Sequence, residues 1–519
     1  MTVCLAAPPL LRSQTTERSA QTVFKRSFLS LVLSCVISAF VGIVVVAHVL
    51  APVPHLAGLA ASGPPYPTAA FARQGEHGTL LLRLQSLLGL GVFTLMTYVW
   101  GQLRTKRTKV NWHTVLWGLG IQIIFAWLVL DTAPGAASFK IANDGIDALL
   151  GFAAQGSSFV FGDLVKGGNV PVGVPAGDPL NGPILAPTSY AHVGAYFAFN
   201  VLPTIIFFSA LSTLLYHLGI LQWVVQGLAW VMQKSMRTSG AETLSATANI
   251  FLGQTEAPLM VKPFIAGATN SELMAIMVGG FANIASGVLA AYVSMLHGFF
   301  PDIAGHLLAA SLISAPSSLV IAKLLLPETE TPETVSGVKF HIDKIDANAV
   351  DASARGALEG LGLTLNVGAV LIVFIALVAM LNALIGWGGH YFGHPELSFQ
   401  EVLGWIATPF CWLMGISWHD AVRVGPLLGI KTALNEFVAY LQLSQSLGQN
   451  PHYISPRAAI ITAYALCGFA NFSSVAIQIG GIGGMAPNRR GDLSRLGLTA
   501  MWGGALSSFM TACVVGILL

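Results

Sequence analysis

The sequence predicts an all-α polytopic membrane protein, with about nine transmembrane helices plus two re-entrant helical hairpins arranged as an inverted repeat. Three observations carry that expectation. Of 519 residues, 54% are hydrophobic and only 9% charged, and the mean hydropathy is +0.70, values that a soluble globular surface does not tolerate. Most of the apolar residues fall in runs long enough to span a bilayer. Two stretches, around Gly253 and Lys431, instead break into half-length apolar pieces that carry amides and carboxylates. The net charge of +2 is nearly balanced, and with no basic domain it excludes nucleic acid as a partner. Five cysteines stand without CxxC spacing, so neither a zinc site nor a disulfide framework is expected.

Residues 1–26 are polar, with Arg12, Arg18, Lys25 and Arg26, and an apolar run follows from Ser27 to Val49. A basic start before an apolar run also fits a cleaved signal peptide, but the run exceeds a usual signal core and reads as an anchor. Residues 50–78 form a Pro/Gly/Ala-rich loop. A span from Thr79 to Gly101 precedes the basic loop Arg104, Lys106, Arg107 and Lys109, which the positive-inside rule places in the cytoplasm. The next span is Trp112–Leu130. Residues 131–187 lack sustained apolarity and read as surface-lying helices and loop. A span over 191–218 leads to an amphipathic segment over 222–237. Further spans cover 273–296, 303–326 and 361–385, the last two separated by a charged loop that opens at Pro327. One more span starts near Ala458, and a final one ends at Leu519.

The first broken stretch is Asn249-Ile-Phe-Leu-Gly-Gln-Thr-Glu-Ala-Pro258. Ser239 with Glu242 is a capping-box signature, so a helix is expected from Gly240 to about Gly253. A second start follows, with Thr255 as its N-cap and Pro258 in the first turn. Each arm would be roughly 18 Å long, about half of a ~30 Å hydrocarbon core. The tip, Gly253-Gln-Thr-Glu256, then lies near the midplane, where an ionisable group is retained mainly to bind solute or ion. Residues 399–445 read as a second hairpin, carrying Lys431, Asn435 and Glu436.

An internal repeat ties the two halves together. Gly280-Phe-Ala-Asn-Ile-Ala-Ser-Gly287 matches Gly468-Phe-Ala-Asn-Phe-Ser-Ser-Val475 at five of eight places, each copy following one broken stretch. If Gln254, Thr255 and Glu256 meet Glu436, Asn471 and Ser474, the site offers amides and hydroxyls for a heterocycle and carboxylates for vicinal hydroxyls. A ribonucleoside has both parts. Phe469 and Phe472 offer flat apolar contact, and Lys431, about one turn from Glu436, can pair with it or snorkel.

Gly253-Gln-Thr-Glu-Ala-Pro258, Lys431-Thr-Ala-Leu-Asn-Glu-Phe-Val-Ala-Tyr440 and Ala465-Leu-Cys-Gly-Phe-Ala-Asn-Phe-Ser-Ser474, with Pro487-Asn-Arg-Arg490, closely resemble the concentrative nucleoside transporter family. The resemblance runs from about Thr79 to the C-terminus. Segment 27–49 lies outside the core that bacterial members share. The resemblance implies a homotrimer in the inner (plasma) membrane, each protomer pairing a scaffold with a transport domain that moves like an elevator. It implies that Gln254, Thr255 and Glu256 face the nucleobase, that Val288 and Phe469 pack against it, and that Glu436, Asn471 and Ser474 hold the ribose. It also implies a sodium ion at Asn249, Leu252, Asn283 and Ile284, the second and fourth through backbone carbonyls. The expected units are an N-terminal extra segment (1–78), scaffold-side helices (79–237), transport repeat 1 (238–326), a cytoplasmic loop with a scaffold helix (327–398) and transport repeat 2 (399–519).

Ion-coupled uptake of nucleosides such as uridine is therefore the leading reading, with sodium as coupling ion and no organic cofactor. Proton coupling through Glu256, a nucleobase as solute and a passive pore remain alternatives. A membrane hydrolase using Glu256 and Glu436 is disfavoured, because HExxH, GxSxG and clustered histidines are lacking.

Overall fold

The computed structural model describes residues 80–105, 108–165, 168–174, 186–193, 197–335, 346–391, 393 and 397–519. The expected first span, 27–49, lies outside them. Among the described residues, seven helices are long and apolar enough to cross a membrane.

The described residues open with α1 (Leu80–Arg104) and α2 (Trp112–Leu130), the latter capped by the Asn111 side chain, which accepts from the His113 N–H. The stretch expected to hold surface helices and loop contains a 29-residue helix, α3 (Ala133–Phe161), started by Thr132 and a proline in its first turn. An antiparallel strand pair follows, β1 (Gly168–Val174) and β2 (Ala186–Val193), with Val172 opposite Ser189. This pair is a small exception in a helical fold. Next come α4 (Phe197–Asn200), α5 (Leu202–His217) and α6 (Ile220–Met236).

The first broken stretch begins as the capping box predicts, at Ser239, with α7 (Gly240–Ala248). Its second arm differs from expectation. Thr255 caps nothing; the N-cap position is Glu256, whose side chain turns back to accept from the Gly253 N–H at 3.0 Å. The arm is a 3-10 turn (Ala257–Val261) and a four-residue helix, α8 (Lys262–Ile265). Pro258 and Pro263 supply no N–H, so a continuous α-helical ladder cannot form across them. A second capping box, at Thr269, starts α9 (Asn270–Ala282). After a short break come α10 (Ser286–Leu296) and α11 (Ile303–Leu325).

The 42-residue α12 (Ala349–His390) is the most exposed helix, with 12% of its apolar window buried against 89% for α11. The second broken stretch is three helices where a single hairpin was expected. α13 (Phe399–Leu413) packs antiparallel on α14 (Trp418–Ala433), and the break at Leu434 and Asn435 leads into α15 (Glu436–Gln449). The expected span from Ala458 is also split, into α16 (Pro456–Leu466) and α17 (Phe472–Met485), before α18 (Arg490–Leu518) closes the chain.

Helices α7, α9, α11 and α18 form the core. Gly504 of α18 permits the closest approach, since a Cβ there would fall 2.2 Å from the Phe281 Cβ. At one end of this core the starts of α7 and α9 converge on a buried ionic cluster. Lys323 Nζ lies 2.6 Å from a Glu242 oxygen and donates to Ser271 Oγ at 2.8 Å. Ser239 Oγ donates to Glu272 at 2.6 Å, and Thr269 Oγ1 donates to Glu328 at 2.8 Å. Glu242 is thus held by the Ser239 N–H and Lys323, and Glu272 by the Thr269 N–H, Ser239 Oγ and Thr334 Oγ1.

Removing the cation from such a pair strands a buried carboxylate, which typically costs about 3–5 kcal/mol. Lys323→Met should therefore lower the thermal midpoint in detergent sharply, while the pair Glu242→Gln with Lys323→Met recovers most of it. An unchanged midpoint in the single variant contradicts this assignment.

Candidate functional site

Two helix breaks meet at the centre of the molecule, and the repeated sequence writes both. Asn283 ends α9 at φ −122° and ψ 170°, and Asn471 precedes α17 at φ −141° and ψ 163°. Gly468 has φ +148°, a backbone region that L side chains rarely adopt. A Cβ there would stand 2.8 Å from the Phe281 carbonyl oxygen and 3.0 Å from that of Ala282. The Phe469 N–H donates to the Asn283 carbonyl at 3.3 Å, joining one break to the other.

From these breaks a chain of side-chain hydrogen bonds crosses the site. Asn471 caps α17 through Oδ1, which accepts from the Ser474 N–H at 2.9 Å and Ser473 Oγ at 2.7 Å. Its Nδ2 donates to Glu436 Oε2 at 3.1 Å. Asn435 caps α15 by accepting from the Val438 N–H at 2.9 Å, which places the Glu436 carboxylate at a helix N-terminus, where negative charge is favoured. The Tyr292 hydroxyl donates to Glu436 Oε1 at 2.8 Å. At the other end, Gln254 Nε2 donates to Ser474 Oγ at 3.2 Å. Gln478 Nε2 in turn donates to Gln254 Oε1 and to the Met277 carbonyl, each at 3.2 Å. All six side chains, Gln254, Tyr292, Glu436, Asn471, Ser474 and Gln478, are buried.

The structure thus brings Gln254, Glu436, Asn471 and Ser474 into one network. Val288 is buried in the first turn of α10, and Phe469 is half-buried beside the Asn471 break. Phe472 is exposed. Thr255 is half-buried against Gly481, where a Cβ would meet its methyl group at 2.6 Å. Glu256 points the other way, into a crevice of about 100 Å³ shared with Ser212, Thr213, Tyr216, Arg355 and Glu359. Arg355 is clamped by Asp346 at 2.6 and 2.8 Å and by Glu359 at 2.8 Å, and its hydrogen bonds hold the Asp346 carboxyl below the usual carboxylate range. Lys431 neither snorkels nor bonds to Glu436. It is buried, donates to the Ala465 carbonyl at 2.7 Å and lies over the Phe509 ring.

At the first tip, Asn249 Nδ2 donates to the Gly279 carbonyl, and Ser314 Oγ to Asn283 Oδ1. Gly253 packs beside Ala285, which brings Leu252 and Ile284 to neighbouring turns of the two breaks. Among the described residues, no group of three or more His, Cys, Asp or Glu is placed to hold a metal ion; the polar groups at this tip are amides, a hydroxyl and backbone carbonyls.

Sequence reasoning missed Tyr292, Gln478 and Ser314. Periodicity held a signal for two of them, because Gln478 lies four residues after Ser474 and Tyr292 four after Val288, each one helical turn on.

Three family models match the chain: "Na+ dependent nucleoside transporter N-terminus" over residues 88–164, "Nucleoside recognition" over 198–299 and "Na+ dependent nucleoside transporter C-terminus" over 306–516. Mouse sodium/nucleoside cotransporter 1 is 40% identical over 448 residues, covering 84% of this chain and 64% of that protein. Human solute carrier family 28 member 3 is 37% identical, with 60% of its length covered. The chain therefore spans less than two thirds of these relatives. A solved structure described as CNTnw in an inward-facing substrate-bound state matches at 38% identity and TM-score 0.73, covering 84% of this chain and 98% of that one. A variant of the same protein in an outward-facing state matches at 37% identity and TM-score 0.75. With near-complete coverage of a solved member and three matching models, this multi-pass membrane chain belongs to the concentrative nucleoside transporter family.

Proposed function

We propose that the chain is a sodium-coupled carrier that takes up nucleosides across the inner (plasma) membrane by an elevator-type movement, with no catalytic residue. The observation that carries this reading is the buried network from Gln254 through Ser474 and Asn471 to Glu436. It sets amides at one end, for a base, and a carboxylate at the other, for a sugar. An ionised carboxylate has about four acceptor positions, and Tyr292 and Asn471 occupy two, which leaves two for vicinal hydroxyls. Val288 and Phe469 supply the apolar wall and Thr255 completes the tip on the base side, while Glu256, turned away from the network, holds the turn of the tip through the Gly253 N–H and would reach a base only indirectly.

Sodium as coupling ion fits the first tip. No hydrogen bond ends on the carbonyl oxygens of Leu252 or Ile284 among the described residues, and Asn249 engages Gly279 through nitrogen, which leaves its Oδ1 to face a cation. Asn283 Nδ2 is buried without a partner. A half-turn of that amide lets Nδ2 donate to Ser314 Oγ, whose own proton goes to the Ser311 carbonyl 3.2 Å away, and frees Oδ1 for the ion.

Repeat 1 (238–326) and repeat 2 (399–519) form the moving unit in this reading, against scaffold-side segments 79–237 and 327–398. Capture of the relative in inward-facing and outward-facing states supports such a movement. The exposed apolar face of α12, including Ile372, Val373 and Met380, supports assembly as a homotrimer.

Uptake of labelled uridine and adenosine into proteoliposomes, with sodium and proton gradients imposed separately, tests the whole reading. An inward sodium gradient at fixed pH should drive accumulation; accumulation driven only by a pH gradient would transfer coupling to a proton.

Glu436→Gln should reduce apparent uridine affinity roughly ten- to hundredfold, as loss of charge-assisted bonds of ~1.5–3 kcal/mol requires, while the protein stays monodisperse. Near-normal affinity in that variant would sink the ribose assignment. Free uracil should compete poorly, because it leaves the two open acceptor positions of the buried Glu436 carboxylate unfilled; equal competition would favour a nucleobase as solute. Asn249→Ala and Asn283→Ala should raise the sodium concentration needed for half-maximal uptake before they alter nucleoside competition. If both variants keep the normal sodium dependence, the ion does not bind at this tip.

A further inference from the structure

Gln478 lies behind the site, fully buried on α17, and the proposed contacts to solute do not use it. Its position is nevertheless tightly set. Nε2 is 3.2 Å from the Met277 carbonyl oxygen and 3.2 Å from Gln254 Oε1. A peptide carbonyl can only accept, so the Gln478 atom facing Met277 must be the nitrogen. The same nitrogen faces Gln254, so the Gln254 atom it meets must be the oxygen. That leaves Gln254 Nε2 for Ser474 Oγ, in agreement with their 3.2 Å separation. One backbone carbonyl on α9 therefore sets the polarity of two consecutive amides.

Space around Gln478 points the same way. A Cβ on Gly280 would fall 2.5 Å from Gln478 Nε2 and 3.2 Å from Gln254 Cβ. The glycine of the repeated Gly-Phe-Ala-Asn motif is thus what admits the Gln478 amide behind Gln254 in this half of the molecule.

We propose that Gln478 is a positioning residue for base selection: it ties up Gln254 Oε1, so that Gln254 meets the nucleobase with an N–H. This rests on the reading above that Gln254 faces the base. A base edge carrying an acceptor at that point is matched, and one presenting a donor is met by a second donor, which is repelled. Without Gln478 the Gln254 amide can turn over and offer its oxygen, so the site should lose discrimination between base edges and keep its grip on the sugar.

The test compares the unsubstituted protein with Gln478→Met, which keeps the length of the side chain and removes its hydrogen bonds. The probes in proteoliposomes are uridine, cytidine and adenosine, competing for labelled uridine uptake, and 2′-deoxyuridine as a sugar control. The ratio of apparent affinities among the three bases should move about three- to tenfold, the scale of one net hydrogen bond. The uridine to 2′-deoxyuridine ratio, set at Glu436 and Asn471, should stay as it is. Gly280→Ala, which pushes the Gln478 amide aside, should shift the base ratios in the same direction and guards against poor folding of the first variant. Unchanged base ratios in both variants, or base and sugar ratios that move together, overturn the assignment. If the unsubstituted protein takes up no nucleoside, the carrier reading itself falls, which is a different result.

Discussion

Helices α9 and α16 stop inside the protein, and the backbone groups exposed there must be satisfied without bulk water. The rest of the structure depends on how this is done. The Phe469 N–H goes to the Asn283 carbonyl, so each break supplies part of what the other lacks. Asn471 then caps α17 with one end of its amide and holds Glu436 with the other. A residue that repairs the backbone is also a residue of the site. Loss of that amide would leave both a helix start and a buried carboxylate short of a partner, so folding and recognition are coupled at this position.

The repeated motif puts a helix break in each half, yet the two breaks are not alike. Asn283 and Asn471 occupy equivalent places in Gly-Phe-Ala-Asn, yet they face different chemistry. Asn471 meets a carboxylate from α15, whereas Asn283 meets the Ser314 hydroxyl and keeps an unpartnered nitrogen. One copy lies in the proposed solute site, and the other borders the oxygens proposed to bind an ion. In that reading, coupling between the two would need no long pathway, because the 3.3 Å bond from Phe469 to Asn283 links them.

Spans were legible in the sequence because a bilayer demands long apolar runs, and α1, α2, α11 and α18 fall close to where hydropathy puts them. Capping chemistry was equally legible at Ser239, whose box forms as written. The second arm of the first broken stretch was not, since Pro258 reads as a good first-turn residue by itself and only together with Pro263 forbids an α-helix. Over residues 131–187 surface-lying helices and loop were expected, and moderate apolarity could not fix how long the helix would be: α3 runs for 29 residues. In the site, Gln254 and Glu436 stood out as polar groups in predicted broken stretches, and Asn471 and Ser474 as polar groups of the repeated motif inside an expected span. Tyr292 and Gln478 sit inside regular helices, where a polar side chain has many uses, and only the packing of α10 against α15 and of α17 behind the first tip shows theirs.

The two sides of the Glu256 crevice differ in how tightly they are built. On one side, that of the proposed scaffold, α5 and α12 approach closely at glycines: a Cβ on Gly356 would stand 2.6 Å from Thr213 Oγ1, and one on Gly360 2.8 Å from the Ile206 Cα. Arg355 is fixed on the same side by Asp346 and Glu359. Facing them, the tip residues Leu252 and Glu256 and the start of α10 leave about 100 Å³ of space, lined by Ser212, Thr213 and Ser286 together with the apolar side chains of Leu259, Met260 and Leu363. A direct polar contact across this boundary is the one between Ser212 and Ser286 at 2.7 Å. Hydroxyl pairs of this kind are worth about 1 kcal/mol net and exchange readily for water. In the proposed movement, one side would slide past the other here, and a hydroxyl pair that exchanges readily for water is the kind of polar contact such a boundary would need.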